Sequence, residues 1–264
     1  MGAPIIDDEL WALIEPLLPP PKPRRKKYPG RLPVSNRAAL NGILFVFKTG
    51  IRWCDLSTKL GFGSGPTCWR RLRDWQRAGG WSALHALLLA KLREVGELDF
   101  SRAAVDSSSV PSRWGGRKTG PNPTDRSRPG SKHHILVDGT GVPVSAILTG
   151  ANRNDVTQLL PLIDAIPPIR GVRGRPLRKP KVIYADRGYD SEPHRERLRA
   201  RDIDPVIARR RTEHGSRLGK FRWVVERVLV QIGKSFENVL TCRTSYQADR
   251  TAFHTAGRTA SSIS

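Results

Sequence analysis

The chain is poor in cysteine, in acidic residues and in long apolar runs. Its three cysteines, Cys54, Cys68 and Cys242, show no CxxC spacing. An odd, scattered set argues against a disulfide framework and against a zinc site, and it fits a reducing cytoplasm. The longest apolar stretch, Leu84 to Leu92, is interrupted by His85 and Lys91. A membrane span needs about 18 apolar residues in a row, so none is expected. Met1 to Asp8 lacks the positive start and apolar segment of a signal peptide. Acids are outnumbered most heavily: Asp+Glu is 24 against Lys+Arg 46, a formal net charge of +22. That excess is far beyond what solubility needs and calls for a polyanionic partner, nucleic acid by default. A ribosomal-type basic protein is the plain alternative, but such chains are usually shorter and poorer in Trp, of which this one has seven.

At 264 residues there is room for one large domain or two smaller ones, and no internal repeat divides the chain. The first part, 1–98, reads as all helical. Asp7-Asp8-Glu9 opens a helix with Leu10, Leu13, Ile14 and Leu17 on its apolar face, stopped by Pro19-Pro20-Pro21. Lys22 to Lys27 is a basic, Pro-rich segment, either a solvated tether or a phosphate-binding or minor-groove arm. Ser35-Asn36 can cap a second helix with Leu40, Ile43, Leu44 and Phe47 as its stripe. Trp53 to Leu60 predicts a short third helix, Gly61 to Gly65 a turn, and Thr67 to Arg77 a fourth helix that packs through Trp69, Leu72 and Trp75. Short helix, Gly-containing turn and Arg-rich helix make a helix-turn-helix-like pattern over about 53–79. Thr67, Arg70, Arg71 and Arg73 would then face DNA; an Arg-decorated surface helix is the bland reading. Trp81 to Val95 is a further amphipathic helix.

The composition shifts at Asp99, and 99–235 reads as strands followed by alternating strands and helices. Phe100 to Val110 is a strand carrying Asp106, and 111–131 a flexible Pro/Gly/Arg/Ser loop. His134–Asp138 and Val142–Leu148 form a hairpin around Gly139-Thr140-Gly141. A helix capped by Asn154-Asp155 follows, then a basic loop, Arg170 to Lys181. Val182-Ile183-Tyr184-Ala185 is a short buried strand that runs straight into Asp186. A helix from Glu192 to Arg201, a strand Pro205–Ala208, a basic loop with Arg209, Arg210, Arg211 and Lys220, and a helix from Lys220 to Lys234 complete the series. The order predicts an α/β fold with a mixed sheet and helices packed on it.

Acids at strand ends of such a sheet lie where ligands bind. Asp186 occupies such a place, Asp106 lies in or just after the first strand, and Glu226 on the last helix can join them from a packed element. Three carboxylates suit a pair of Mg²⁺ ions, which take hard oxygen ligands and clamp both oxygens of an in-line phosphoryl displacement. Singly, each acid has a plain role: Asp106 and Asp186 as turn formers, Glu226 as a partner of Arg222 or Arg227.

The ordered set Leu10–Pro19, Thr49-Gly50-Ile51-Arg52-Trp53, Ala104–Ser108, Lys132–Asp138, Ala151-Asn152-Arg153-Asn154-Asp155, Ala185–Asp190 and His214–Arg227 resembles the bacterial insertion-sequence DDE transposases of the insertion-sequence-five group. The resemblance covers roughly residues 7–230. It implies an RNase H-like catalytic domain preceded by an all-α helix-turn-helix-like DNA-binding domain. It also implies Asp106, Asp186 and Glu226 as metal-binding catalytic triad, with two Mg²⁺ or Mn²⁺ ions. The partners it implies are double-stranded DNA, both terminal inverted repeats and target, and further copies of the chain on paired ends, in the cytoplasm at the nucleoid. Arg209 to Arg211, Lys220, Arg222 and Lys234 are then expected on the DNA backbone near the cut. Arg222 fits the family pattern four residues before the Glu. Gly219 stands where related enzymes carry Tyr, and Gly233 stands where they carry a Lys or Arg, with Lys234 one step late. The segment 236–264 reads as an atypical, poorly packed Ser/Thr/Ala-rich tail that would impair activity. The alternatives are a remnant that only binds DNA and a general RNase H-like nuclease.

Overall fold

Asp7 starts the chain's first helix, α1 (Asp8–Ile14), by accepting the Leu10 N–H on its carboxylate at 2.7 Å. The computed structural model describes residues 5–20, 26–28, 30, 32–112, 116, 118–211 and 222–230. The expectations for Lys22 to Arg25, Lys220, Lys234 and the tail 236–264 lie outside them. Two compact units divide between His85 and Ala86.

In the N-terminal unit, Ser35 caps α2 (Asn36–Thr49) by accepting the Ala38 N–H at 3.2 Å, and Gly50 ends it in the left-handed conformation at φ 70°. The buried stripe of α2 is Ala39, Leu40, Ile43 and Val46. Phe47, expected inside, is 40% exposed, because Val46 takes the inward position one residue earlier. The helix expected over Trp53 to Leu60 is instead two 3-10 turns, Trp53–Asp55 and Thr58–Leu60. Leu56 between them is extended, and Ser57 caps the second turn by accepting the Lys59 N–H. α3 (Gly65–Arg77) follows with Pro66 in its first turn. Its buried face is Gly65, Cys68 and Trp75, with Trp69 only half-buried against Trp53 at 5.7 Å between ring centres. α4 (Gly80–Glu94) spans the division, and its residues from Ala86 on belong to the second unit.

The second unit is built on one mixed sheet. Its strands are β1 (Arg102–Pro111), β2 (Gly120–Pro121), β3 (Pro129–Asp138), β4 (Pro143–Gly150), β5 (Val182–Ala185) and β6 (Asp204–Ile207). β1, β3 and β4 form an antiparallel meander, and β1 also pairs in parallel with β5, which pairs in parallel with β6. The path is thus β4-β3-β1-β5-β6, with β2 continuing the β4 side of β3. This is the RNase H-like mixed sheet. The end of the loop expected to be flexible is ordered: β3 starts at Pro129, and the buried Asn122 accepts Thr124 N–H and O–H on its side chain.

Alternation assigns the two faces. Ala103, Val105, Ile183 and Ala185 join one core with Leu136, with α5 (Leu159–Asp164) through Leu159 and Leu162, and with α6 (Glu192–Arg199) through Leu198. Ala104, Ile135, Val137 and Tyr184 face the other way, against Val224, Val225, Val228 and Leu229 of a further helix, α7, over residues 222–230. In a strand, side chains repeat every second residue. The parity of Ala104 and Tyr184 is therefore the parity of Asp106 and Asp186.

Candidate active site

Asp106 and Asp186 meet through strand register. β1 and β5 pair Ala103 with Ile183 and Ala104 with Tyr184. Asp106 and Asp186 each follow two residues beyond the last of these pairs, near enough for the Asp186 charge to act on Asp106, and Arg222 of α7 reaches Asp106 there. Asp186 leaves β5 at φ −82° and accepts the Gly188 N–H at 2.9 Å, capping the 3-10 turn Arg187–Tyr189. That turn is held from below. Arg210 donates its guanidinium to the Arg187 carbonyl at 3.0 Å and its own N–H to Asp190 at 2.7 Å. The buried Arg195 also donates to the Asp190 carboxylate and to the Ile207 carbonyl. Arg210, expected on DNA backbone, shapes the Asp186 turn while itself exposed, as are Arg209 and Arg211 beside it.

Asp106 is half-buried. Its carboxylate accepts the Ser107 N–H at 2.8 Å and an Arg222 N–H at 3.1 Å. Burial raises its pKa, and the neighbouring Asp186 charge adds to the rise; the Ser107 N–H and Arg222 oppose it. Arg222 also lies 3.8 Å from the Glu226 carboxylate, whose side chain is 58% exposed. One guanidinium therefore links the acid of β1 to the acid of α7.

This arrangement bears on divalent metal. Two neighbouring carboxylates, one raised by burial and further by the other's charge, form an anionic pair that a cation relieves. Their oxygens are the hard donors that Mg²⁺ and Mn²⁺ take. Glu226 stands apart, on Arg222. Among the described residues no three His, Cys, Asp or Glu side chains lie close enough to hold one ion. Asp106 and Asp186 offer the donor type such an ion takes; Glu226 shares that donor type but is held on Arg222.

A fourth acid was read in the sequence only as part of a helix cap. Asn154 is the cap, accepting the Val156 N–H, whereas Asp155 turns into the sheet. It accepts the Ser107 hydroxyl at 2.8 Å, lies 3.0 Å from Lys132 Nζ and 3.7 Å from His134 Nδ1. The Tyr189 phenol is buried beside this group, and burial together with the charges of Asp155, Asp106 and Asp186 pushes its pKa far up, so it stays protonated. The motif Ala151–Asp155 was the available signal, but nothing in it names Ser107 as the partner.

In the N-terminal unit, Arg70 and Arg73 are exposed on α3. Arg71 donates to the Val34 carbonyl at 3.3 Å, Arg73 pairs with Asp74 at 3.0 Å, and the Thr67 hydroxyl lies 3.0 Å from that of Ser64. Among the described residues no helix is long and apolar enough to cross a membrane.

The chain is 77% identical over 115 residues, 44% of its length, to the "Putative transposase for insertion sequence element IS402" of Burkholderia cepacia, covering 54% of that protein. It is 72% identical over 123 residues to the "Insertion element IS402 uncharacterized 16.2 kDa protein" of the same organism, covering 47% of this chain and 84% of that one. The chain thus spans about half the length of the first of these relatives, 54%. A similar solved structure is the piggyBac transposase synaptic complex with hairpin DNA, at 16% identity and TM-score 0.38, covering 77% of this chain and 47% of that one. Residues 6–85 match the family described as "Putative transposase of IS4/5 family". Residues 97–256, more than half of the 264, match the family described as "Transposase DDE domain", to which this chain belongs.

Proposed function

We propose that the chain is a DDE transposase that cuts and joins the ends of an insertion sequence by metal-dependent phosphodiester hydrolysis and strand transfer. The observation that carries this reading is that Asp106 and Asp186, each two residues beyond the paired Ala104 and Tyr184, lie near enough for the Asp186 charge to act on Asp106, beside the helix of Glu226. In this reading Asp106 and Asp186 hold two divalent ions, Mg²⁺ or Mn²⁺, and Glu226 completes one site. When bound, such ions activate the attacking oxygen and neutralise charge on the leaving one.

The chain's own residues do the rest. The Asp186 turn is kept in place by Arg210 and by the Arg195–Asp190 pair, so one of the two carboxylates is positioned before any ligand arrives. Arg222 pairs with Asp106 and Glu226, and a phosphodiester entering beside Asp106 competes with both carboxylates for it. A guanidinium is suited to that exchange, because its fork matches carboxylate and phosphate alike. Thr67, Arg70, Arg71 and Arg73 serve end recognition. Arg209, Arg211, Lys220 and Lys234 serve the backbone near the cut. The protein works on terminal repeats and target DNA as a homo-oligomer on paired ends, at the nucleoid, with 1–98 as DNA-binding part and 99–235 as catalytic part.

The test is cleavage of duplex carrying the element's flanking repeat, with Mg²⁺ and purified protein. A discrete end nick is expected, reduced at least about 10³-fold by Asp186→Ala with duplex binding retained. Cleavage that ignores the terminal sequence would instead identify a general nuclease. Binding without metal-dependent cleavage by the unaltered chain would identify a DNA-binding remnant, as expected if the segment 236–264 impairs activity.

A further inference from the structure

The stretch between α5 and β5 is the most one-sided in the second unit. From Arg170 to Lys181 it carries Arg170, Arg173, Arg175, Arg178, Lys179 and Lys181 and no acid. All six are exposed. Lys179 pairs with Asp202 at 2.8 Å. The other five have no carboxylate partner among the described residues.

A solvated tether would explain charge alone, but the loop is built. Ile169 and Leu177 exchange both backbone hydrogen bonds at 2.9 Å, closing a hairpin. Ile169 is buried in the main core, Leu177 packs on that core and Pro180 is buried, so the loop is anchored at both ends. Arg93 of α4 donates to the Ile169 carbonyl at 2.6 Å and to the Arg175 carbonyl at 3.1 Å, fixing the hairpin with a further cation. Holding like charges together on an ordered support costs repulsion, and a polyanion offsets it.

Placement separates this surface from the acids. The loop feeds the N-terminal end of β5, and Asp186 follows the C-terminal end. From Lys181 to Asp186 the strand alone spans roughly 16 Å. A phosphate cut beside Asp106 and Asp186 would thus lie at the opposite end of β5 from where this loop enters it.

We propose that the hairpin loop Ile169 to Lys181 is a second binding surface for the sugar-phosphate backbone of duplex DNA, at the end of the sheet away from the acids. It contributes affinity and holds DNA flanking the cut, and it takes no part in the chemistry. The proposal rests on the transposase reading above for its ligand, since duplex is what such a chain meets.

The experiment uses the full chain and a triple variant, Arg170→Gln with Arg173→Gln and Arg178→Gln, titrated against a labelled non-specific duplex over a range of salt. Each phosphate contact contributes about 0.9 to the slope of log affinity against log salt, so the slope should fall by about 2.7 in the variant. At low salt the affinity should drop at least about tenfold, whereas metal-dependent cleavage at saturating DNA keeps its kcat and raises its KM. Asp186→Ala should keep the unaltered slope. In the unaltered protein, duplex should protect Lys181 from acetylation several-fold, a readout that does not depend on the variant folding. Unchanged slope and no protection, in a protein that binds duplex, overturn the loop proposal alone. Failure of the unaltered chain to bind any duplex overturns it together with the transposase reading. Single-stranded RNA binding more tightly than duplex through the same three arginines overturns the assignment of the ligand.

Discussion

His134 is wholly buried in β3, with Nε2 at 2.9 Å from the Thr149 hydroxyl and Nδ1 facing Asp155. Burial drives its pKa down to about 4; the Asp155 charge opposes this, while Lys132 and His133 reinforce it. The unfolded chain takes up this proton near its ordinary value of 6.5, and the folded chain only near 4. Between those values the unfolded state binds more protons, so stability is present above pH 6.5 and is lost as pH falls toward 4. The loss is at most about 3 kcal/mol. Asp106, with its pKa raised, acts in the opposite sense and offsets part of it at the acid end. His134→Gln should flatten the fall in unfolding midpoint between pH 6.5 and pH 4, measured by thermal melts; an unchanged profile would remove His134 as its source. The same neighbourhood marks the limit of sequence reading. Asp106 and Asp186 were legible because each follows apolar strand residues. Asp155 was not, because its role comes from the packing of a 3-10 turn beside Ser107, a contact across 48 positions.

The junction of Trp53 and α3 tests packing between elements. A Cβ on Gly65 would lie 1.6 Å from the Trp53 carbonyl oxygen, which neither backbone can yield without moving the buried Trp53. Gly65→Ala should therefore destabilise the N-terminal unit by about 1–3 kcal/mol, although Ala favours a helix more than Gly does. Thermal unfolding followed by tryptophan fluorescence reads it directly. A neutral or stabilising outcome would mean that the two segments are not in contact. This close approach also explains why the helix expected over Trp53 to Leu60 does not form. The extended Leu56 is buried, and the chain turns through Ser57 and the left-handed Gly61 before reaching Gly65. Strands were easier to read than these turns. Ala103-Ala104-Val105 and Val182 to Ala185 are apolar on both faces because both faces are covered, and a period of two survives any detail of packing. Boundaries were less legible: β3 begins at Pro129, where pairing with β1 and β2 overrides the local Pro/Gly composition.

At the scale of the whole molecule the governing quantity is the net charge of +22. Such an excess repels itself most in the compact state, and it is screened over about 10 Å at 0.1 M salt. A polyanion that binds the folded chain should therefore stabilise it by mass action, with the relief of that repulsion contained in its affinity. At a duplex concentration of about 100 times Kd this contributes about 2.7 kcal/mol. For a chain of this size that corresponds to a rise in Tm of roughly 5–10 °C. The rise should shrink as salt is added and vanish where the duplex no longer binds, because affinity falls with the number of phosphates contacted. Differential scanning calorimetry with and without a non-specific duplex, at low and at high salt, measures both parts. Without duplex, added salt should itself raise the midpoint by screening like charges. With duplex the two effects oppose, so the two series converge at high salt. A duplex-induced rise that persists unchanged at high salt would mean that contacts other than charge hold the complex, and that the basic excess of this sequence is not what binds DNA.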